Sequence, residues 1–442
     1  MAGIYKAYDI RGIYGEDLTG ETAYRIGRAF STFLACRRVV VARDMRPHSD
    51  PLFARLVDGL TTQGADVIDL GLASTPMSYH ANGKLNADAG IMITASHNPG
   101  EWNGFKMCRD RAIPVSGATG IADIERIVNE GCFAPPAPTA GTVQRRDILD
   151  EYTAHIRSFA DIRRPLRLAV DFANGMGILE HRVFDGLLET DPLFDRLDGT
   201  FPNHEANPLK HETYAALQEK MKSGGYDFGI AYDGDADRVG FTDENGIVIP
   251  MDIITALIAQ IMLQREPGAP VFYDLRSSWA VKEVIEESGG RPFLSRVGHA
   301  FIKEQIRAEN AVFAGELSGH YYFRDNYFTE SASLAVLYVA NLVSRSDQPL
   351  SALVKPIHRY SASGEINSTV EDPEAVFLEL RHAYGHGKVS DLDGVSFEFD
   401  DWWFNVRPSN TEPLIRLNLE AKDPGMMQRH RDEVLSLIRG SG

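Results

Sequence analysis

The chain has 442 residues, and its 43% hydrophobic and 24% charged content is that of a folded globular protein, which excludes disorder as its general state. That length exceeds one compact core and predicts roughly two to four domains. With 45 Lys+Arg against 62 Asp+Glu the formal charge is −17, so nucleic-acid binding through the overall field is excluded. An anionic substrate must therefore find its positive charge concentrated in one place. Cys36, Cys108 and Cys132 lie far apart with no CxxC pair, which argues against a disulfide framework or a cysteine zinc site and for a reducing cytoplasm. The opening MAGIYKAYDIRG meets charge and glycine too soon for a secretory signal. The longest apolar stretches, Ile253–Leu263 and Ala332–Val343, fall short of the ~18 residues of a membrane span and predict buried helices.

In chain order, one pattern recurs three times: an apolar strand ending in Asp, a loop, a helix, then a second strand. The first copy is VVVARD (Val39–Asp44), a helix from about Pro51, and GADVIDLG (Gly64–Gly71). The second is LRLAVDFANG (Leu166–Gly175), a helix, and a strand near Leu193–Leu197. The third is VFYDLRSS (Val271–Ser278), a helix to about Ser288, and RPFLSRVG (Arg291–Gly298). Continuous β-branched runs alternating with helices predict mixed, mainly parallel sheets covered on both faces, hence three related α/β domains. The tail differs. INSTVED, VSFEFD, WWFNV and LIRLNLEA read as strands in meander order, with helices at PEAVFLELRHAYG and PGMMQRHRDEVLSLIRG, which predicts an α+β domain. FAPPAPTAG (Phe133–Gly141) reads as a surface segment and SASGE (Ser361–Glu365) as the link into the tail. The expected division is 1–150, 151–249, 250–363 and 364–442.

Four segments can carry chemistry. In GIMITASHNPGEWNGFK a strand stops at Ser96, at the carboxyl edge where α/β sheets place ligands. His97 adjoins it, but neighbours in sequence usually point apart, so a Ser–His couple is not expected, and GxSxG is absent. An N-capping serine in a polar turn is the plain alternative. In GIAYDGDADRVGFTDENG a strand ends in Asp233, Asp235 and Asp237; carboxylates so close repel unless a cation neutralises them, and hard oxygens suit Mg²⁺ or Ca²⁺. The spacing to Glu244 imitates an EF-hand, but Arg238 stands where the loop glycine belongs and a strand precedes it. In VFAGELSGHYYF, Glu316, Ser318 and His320 alternate, so an extended chain puts them on one face, suited to sugar hydroxyls. In NVRPSNTEPLIRL, Arg407, Ser409, Asn410 and Thr411 lie between prolines, a phosphate cradle or a plain strand connection. Arg11 in YDIRG, His299 in VGHAFIK and Arg276 after a strand end are further candidates. NGMG (Asn174–Gly177) imitates a dinucleotide fingerprint, but Glu180 occupies the third glycine position.

The ordered set YDIRG, TASHNP, NGFK, DGDADR, VGH, GELSGH and RPSNTEP, spread over nearly the whole chain, resembles the α-D-phosphohexomutase superfamily, in its phosphomannomutase/phosphoglucomutase branch. The resemblance implies three related α/β domains and a C-terminal domain like the TATA-binding-protein fold, around a central cleft. It implies a phosphoserine at Ser96, Mg²⁺ on Ser96, Asp233, Asp235 and Asp237, and proton transfer by Lys106 or His320, with Arg238 near the moving phosphate. Glu316, Ser318 and His299 would bind sugar hydroxyls, Arg407, Ser409, Asn410 and Thr411 the idle phosphate, and Tyr8 and Arg11 would line the cleft. The implied activity interconverts hexose 1- and 6-phosphates, of mannose and of glucose, through a hexose 1,6-bisphosphate that also serves as activator. A Mg²⁺-dependent sugar phosphatase and a non-catalytic sugar-phosphate binder are the alternatives. Ala236 stands where many relatives have glycine, and Arg276 where some have lysine. Asn410 and GELSGH both depart from the glucosamine-phosphate mutase pattern. The expected partners are small hexose phosphates, with no nucleic acid and no membrane, for a cytoplasmic monomer or weak dimer.

Overall fold

The computed structural model describes residues 3–408 and 414–440. Among these residues four sheets follow one another, with six, five, five and five strands. The recurrence read in the sequence is a shared topology. In the first sheet the neighbours run Trp102–Arg109, Ala89–Ile93, Arg38–Arg43, Asp66–Leu72, with the first pair antiparallel and the others parallel. The second runs Val239–Thr242, Phe228–Tyr232, Arg167–Asp171, Glu189–Leu193 in the same sense. The third runs Tyr321–Phe323, Phe313–Gly315, Pro270–Asp274, Arg291–Ser295, again in the same sense. Each unit therefore shares three parallel strands and a fourth that hairpins back, and the first sheet adds Val143–Arg145, parallel, at one edge and Ile10–Ile13, antiparallel, at the other. With an extra antiparallel edge strand, the second and third sheets carry as many antiparallel as parallel pairs.

This topology makes the three functional loops equivalent. Ser96, the aspartates 233–237 and residues 316–320 all lie between the third and fourth strands of their units. A hairpin at the carboxyl end of a buried parallel strand puts its side chains at the sheet edge, where helices do not cover them.

Two details differ from the sequence-based reading. The second strand of the second unit ends at Leu193 instead of beginning there, because Phe194 takes a left-handed conformation (φ 52°) that extended backbone cannot continue through. SASGE is not a free link: Ser361–Thr369 is an edge strand paired with Leu414–Ala421, bulged between Ala362 and Glu365, where Gly364 has φ 68°. The tail sheet is wholly antiparallel, with Pro373–Tyr384 and Pro424–Gly440 as its helices. Both apolar stretches are buried helices, Met251–Arg265 and Ala332–Arg345, and among the described residues no helix is long and apolar enough to cross a membrane.

The three α/β units share one continuous apolar core, including Val40 and Met77 from the first, Leu168 and Phe228 from the second, and Val271 and Leu334 from the third. The tail has its own core around Phe397, Phe404 and Leu417. It docks on the third unit through hydrogen bonds: Val297 N donates to Asp393 Oδ2 (3.1 Å) and Trp279 N to Glu420 Oε1 (2.9 Å). Where the three α/β units meet, one carboxyl joins them. Glu180 of the second unit, fully buried, accepts from Ser74 Oγ of the first (2.5 Å) and from Ser333 Oγ of the third.

Burial pushes the Glu180 carboxyl up to about 7, against the pull of the Ser333 and Ser74 hydroxyls. An unfolded-chain glutamate titrates near ~4.3. Between those values the folded state binds more protons than the unfolded chain, so this group's stabilisation is present below the lower value and is lost as pH rises through the upper one. Glu180→Gln removes that loss: Tm measured from pH 5 to 8.5 should exceed wild type by about 2–4 °C at pH 8 and match it near pH 5. Parallel curves for the two proteins would show that Glu180 does not titrate in this window.

Candidate active site

Ser96 follows strand Ala89–Ile93 in a left-handed conformation (φ 54°), which costs a non-glycine residue about 1–2 kcal/mol and must be held by its surroundings. Thr94 Oγ1 accepts from Ser96 N at 2.9 Å. The turn carries Ser96 Oγ across to the second unit, where it donates to Asp233 Oδ2 (3.1 Å) and accepts from Arg238 Nη2 (3.0 Å). The two loops touch along their backbones. A Cβ on Gly234 would stand 2.4 Å from the Ser96 carbonyl oxygen, so no larger residue fits there.

The aspartates are buried, at 0%, 0% and 1% exposure for Asp233, Asp235 and Asp237, and each places a carboxylate oxygen within 4.8 Å of the others'. Positive side chains from all three units neutralise them. Lys106, on the first unit's fourth strand, donates to Asp235 Oδ2 (2.7 Å) and to Asp237 Oδ2. Arg238 Nε pairs with Asp233 Oδ2 (2.9 Å), and His320 Nε2, from the third unit, lies 3.4 Å from Asp237 Oδ1. Burial raises the Asp233 carboxyl, whereas at Asp237 the ammonium of Lys106 and the His320 ring outweigh burial and hold it well below the usual carboxylate range. Burial alone would lower Lys106; Asp235 and Asp237 reverse that and keep it an ammonium. Among the described residues, Asp235 Oδ1 and Asp237 Oδ1 are buried and accept no hydrogen bond. Unspent oxygens of this kind, on hard ligands in one short loop, fit a divalent cation such as Mg²⁺.

The third unit closes the site. His320 Nδ1 lies 3.1 Å from Glu316 Oε2 and 2.9 Å from Ser318 Oγ. Burial works against the His320 imidazolium, but Asp237 and Glu316 prevail and lift it to about 9. Glu316 is fixed in turn by Gly298 N (3.2 Å) and the Tyr322 hydroxyl. Among the described residues neither ring nitrogen of His299 is hydrogen-bonded, and the ring lies 6.3 Å from that of His320. Tyr8 packs against His299 (5.7 Å) and donates to Val297 O (3.0 Å). Arg11 donates to Asp9 Oδ2, Ala95 O and Asn98 Oδ1 (2.7, 3.3 and 2.6 Å), bracing the serine loop.

Arg276 and Arg407 are not at the serine. They form a second centre with Arg416 around Glu365, which Arg407 Nη2 grips and which Arg416 Nη1 and Arg276 Nη1 approach at 3.4 and 3.8 Å. Arg276 Nη2 also bonds Asp274 Oδ2 (2.6 Å), and the same oxygen accepts from Leu317 N (2.9 Å), which connects this arginine cluster to the 316–320 loop. Ser409, Asn410 and Thr411 lie outside the described residues.

His97 corrects a sequence-based expectation. Its Nδ1 is 3.3 Å from Ser96 Oγ, because the left-handed turn at Ser96 brings the two side chains to one side. The same nitrogen accepts from Arg238 Nη2, and burial together with Arg238 keeps the ring neutral, well below its ordinary value. That lone pair is already engaged, so no activated Ser–His couple results. Sequence reasoning missed Thr75, whose Oγ1 donates to Asp235 Oδ2 (2.6 Å), Glu365, and Arg46. For Arg46 a signal existed: it stands two residues after the strand-ending Asp44, the offset at which Arg276 follows Asp274.

Comparison with known proteins agrees with this arrangement. The family models for phosphoglucomutase/phosphomannomutase α/β/α domains I, II and III match residues 3–134, 150–246 and 250–360, and the C-terminal domain model matches 365–437. A phosphomannomutase of Escherichia coli is 38% identical over 450 residues, covering 98% of this chain and 99% of that one. A protein of Xanthomonas campestris pv. campestris, named phosphohexose mutases, is 40% identical over 444 residues, covering 99% of both. A crystal structure of a phosphoglucomutase/phosphomannomutase family protein from Burkholderia thailandensis superposes with a TM-score of 0.92 at 32% identity, covering 100% of this chain and 98% of that one.

The Glu365 side chain is 28% exposed and neutralises arginines drawn from two units. A dianion binding these arginines would have to displace it. Glu365→Gln should therefore bind inorganic phosphate roughly three- to tenfold more tightly, the ~1 kcal/mol worth of a partly exposed ion pair. Calorimetric titration against wild type reads this directly, and unchanged or weaker binding would show that the carboxylate does not compete.

Proposed function

The chain belongs to the phosphoglucomutase/phosphomannomutase family, and on that premise we propose that it interconverts hexose 1-phosphates and hexose 6-phosphates through a phosphorylated Ser96. As a phosphohexomutase it is an isomerase, since the phosphoryl group leaves one end of a sugar and returns to the other. The observation that carries the assignment of Ser96 is its hydroxyl, 3.1 Å from Asp233 Oδ2 and 3.0 Å from Arg238 Nη2, inside a buried carboxylate triad. In this reading units 1–150, 151–249, 250–363 and 364–442 each contribute one loop.

Asp233, Asp235 and Asp237 would hold Mg²⁺, with an oxygen of phosphorylated Ser96 completing the set. When bound, the ion would offset the charge of the phosphoryl group in transfer. The chain's own groups do the rest. The free hydroxyl of the sugar attacks phosphorus; the phosphorus–Oγ bond of Ser96 breaks and a phosphorus–sugar oxygen bond forms. Arg238, already bonded to Oγ, compensates the charge left on the departing serine oxygen. The hydroxyl proton passes to Lys106 in its neutral form, and His320 serves the departing oxygen. Asp235 and Asp237 hold Lys106 as an ammonium; once those carboxylates turn to the cation it can give that proton to solvent, and the neutral amine then accepts the hydroxyl proton. His320, lifted to about 9 by Asp237 and Glu316 against burial, holds a proton and suits the donor role, returning one to the serine oxygen.

The product of this half-reaction is a hexose 1,6-bisphosphate. Its reorientation would present the other phosphate to Ser96, and the reverse transfer would restore the phosphoserine. Glu316 and Ser318 would bond sugar hydroxyls, with His299, whose ring nitrogens make no hydrogen bond among the described residues. Arg407 and Arg276, with the 409–411 loop, would anchor the idle phosphate away from the reacting end. Tyr8 and Arg11 support the rim of the same site. The GELSGH sequence supports acceptance of both mannose and glucose phosphates, which differ at one hydroxyl.

Ser96→Ala should lose at least about 10³-fold in mutase rate while keeping wild-type Tm, and added glucose 1,6-bisphosphate should stimulate wild type but not the variant. Chelation of divalent cations should abolish turnover, and Mg²⁺ should restore it. Full activity in Ser96→Ala would end the proposal, and free phosphate accumulating faster than isomerised sugar would favour a phosphatase. The ratio of kcat/KM for mannose 1-phosphate and glucose 1-phosphate should lie within about tenfold; a much larger ratio would refute dual specificity.

A further inference from the structure

The most completely engaged side chain near the site belongs to no motif described above. Arg46 is 2% exposed, and its guanidinium has five N–H bonds to place. All five find an acceptor. Nη1 donates to Pro99 O (2.6 Å) and Trp102 O (2.9 Å), Nη2 to Ser96 O (3.0 Å) and Asn98 O (2.6 Å), and Nε to Asp44 Oδ2 (3.2 Å). One planar group thus gathers four carbonyls of the loop that begins at Ser96. Asp44 is itself fixed, since its Oδ1 accepts from Arg46 N (3.0 Å) and Ser49 Oγ (2.6 Å), and Ser49 accepts from Asn103 Nδ2 (3.0 Å). The Phe201 ring of the second unit covers the guanidinium at 5.0 Å.

We propose that Arg46 is the positioning residue of the phosphoryl-transfer step: it holds the Ser96 peptide in its left-handed turn and so keeps Oγ aimed at the carboxylate triad. The left-handed conformation is uncommon for serine, and its two flanking restraints are Thr94 on the Ser96 N–H and Arg46 on the Ser96 carbonyl. The Asp–x–Arg unit itself recurs in the third repeat, where Asp274 accepts from Arg276 N (2.8 Å) and Nε (3.1 Å). The second repeat has the Asp171 turn but Ala173 in place of arginine. In the third repeat the arginine's outer nitrogens reach Asp274 and Glu365; in the first they are spent wholly on the serine loop. The same turn has therefore been put to binding charge in one unit and to shaping the backbone in the other. Arg46 touches no reacting atom and acts through Ser96.

The inference rests on Ser96 as the phosphoryl carrier. Arg46→Lys keeps the charge but has three donors on one atom, too few and too concentrated for four dispersed carbonyls. It should lower kcat about a hundredfold with KM changed less than about threefold, since a misplacement near 1 Å costs that much. The rate at which glucose 1,6-bisphosphate phosphorylates Ser96, followed by intact-protein mass, should fall by the same factor per folded molecule. A merely structural role would reduce folded protein and Tm without separating kcat from KM. Should Arg46→Lys fail to fold, Ser49→Ala decides, with an expected kcat decrease of roughly threefold and unchanged KM. Wild-type kcat and phosphorylation rate in the variant that folds, with Ser96→Ala inactive, would overturn the role of Arg46 alone. Activity in Ser96→Ala would instead overturn the carrier assignment beneath it.

Discussion

Three carboxylates within five residues, buried beside a serine, are the constraint around which this molecule is organised. Their mutual repulsion in a medium of low polarity exceeds what one loop can absorb. The compensation comes from outside the loop: Lys106 from the first unit, Arg238 from the adjoining position, His320 from the third. The site is an interface because charge balance makes it one. Removing any of these cations would leave a buried carboxylate uncompensated, which is why the three units are held in fixed register and share a continuous apolar core.

Repetition of one topology explains how three units deliver complementary chemistry to one place. Each has three parallel strands and a returning fourth, and each has its functional loop in the third-to-fourth hairpin. The contents of the loop differ: a hydroxyl in the first, carboxylates in the second, and hydrogen-bonding groups for hydroxyls in the third. The turn after the first strand repeats as well, with Asp44, Asp171 and Asp274 each capping backbone N–H two residues on. Equivalent hairpins thus carry a serine, a carboxylate triad and the Glu316–Ser318–His320 group.

The tail obeys a different logic. Its core is its own, and its attachment to the third unit uses Asp393, Glu420 and Glu365 as acceptors, bonds that water can replace at modest cost. Glu365, itself on the tail's edge strand, holds Arg407 and Arg416 of the tail and meets Arg276 of the third unit across the boundary between them.

The sequence by itself determined the three α/β repeats, the antiparallel tail, the serine at a strand end and the aspartate cluster, because each is a local pattern of hydrophobic period, turn residues and like charges. It also placed both buried helices, whose apolar runs were too short for a bilayer. It misread SASGE as a link because strand pairing with Leu414–Ala421 overrides a composition of small polar residues. Only the tertiary structure decided that Lys106 meets Asp235 and Asp237, 129 and 131 residues away, that Arg46 grips the carbonyls of the Ser96 loop, and that Glu365 draws three arginines together. The reason is physical. Local patterns report how a segment folds against its neighbours in sequence, whereas the partner of a buried charge is chosen by how the sheets pack, and a lysine or glutamate in a strand carries no mark of the opposite charge it will face.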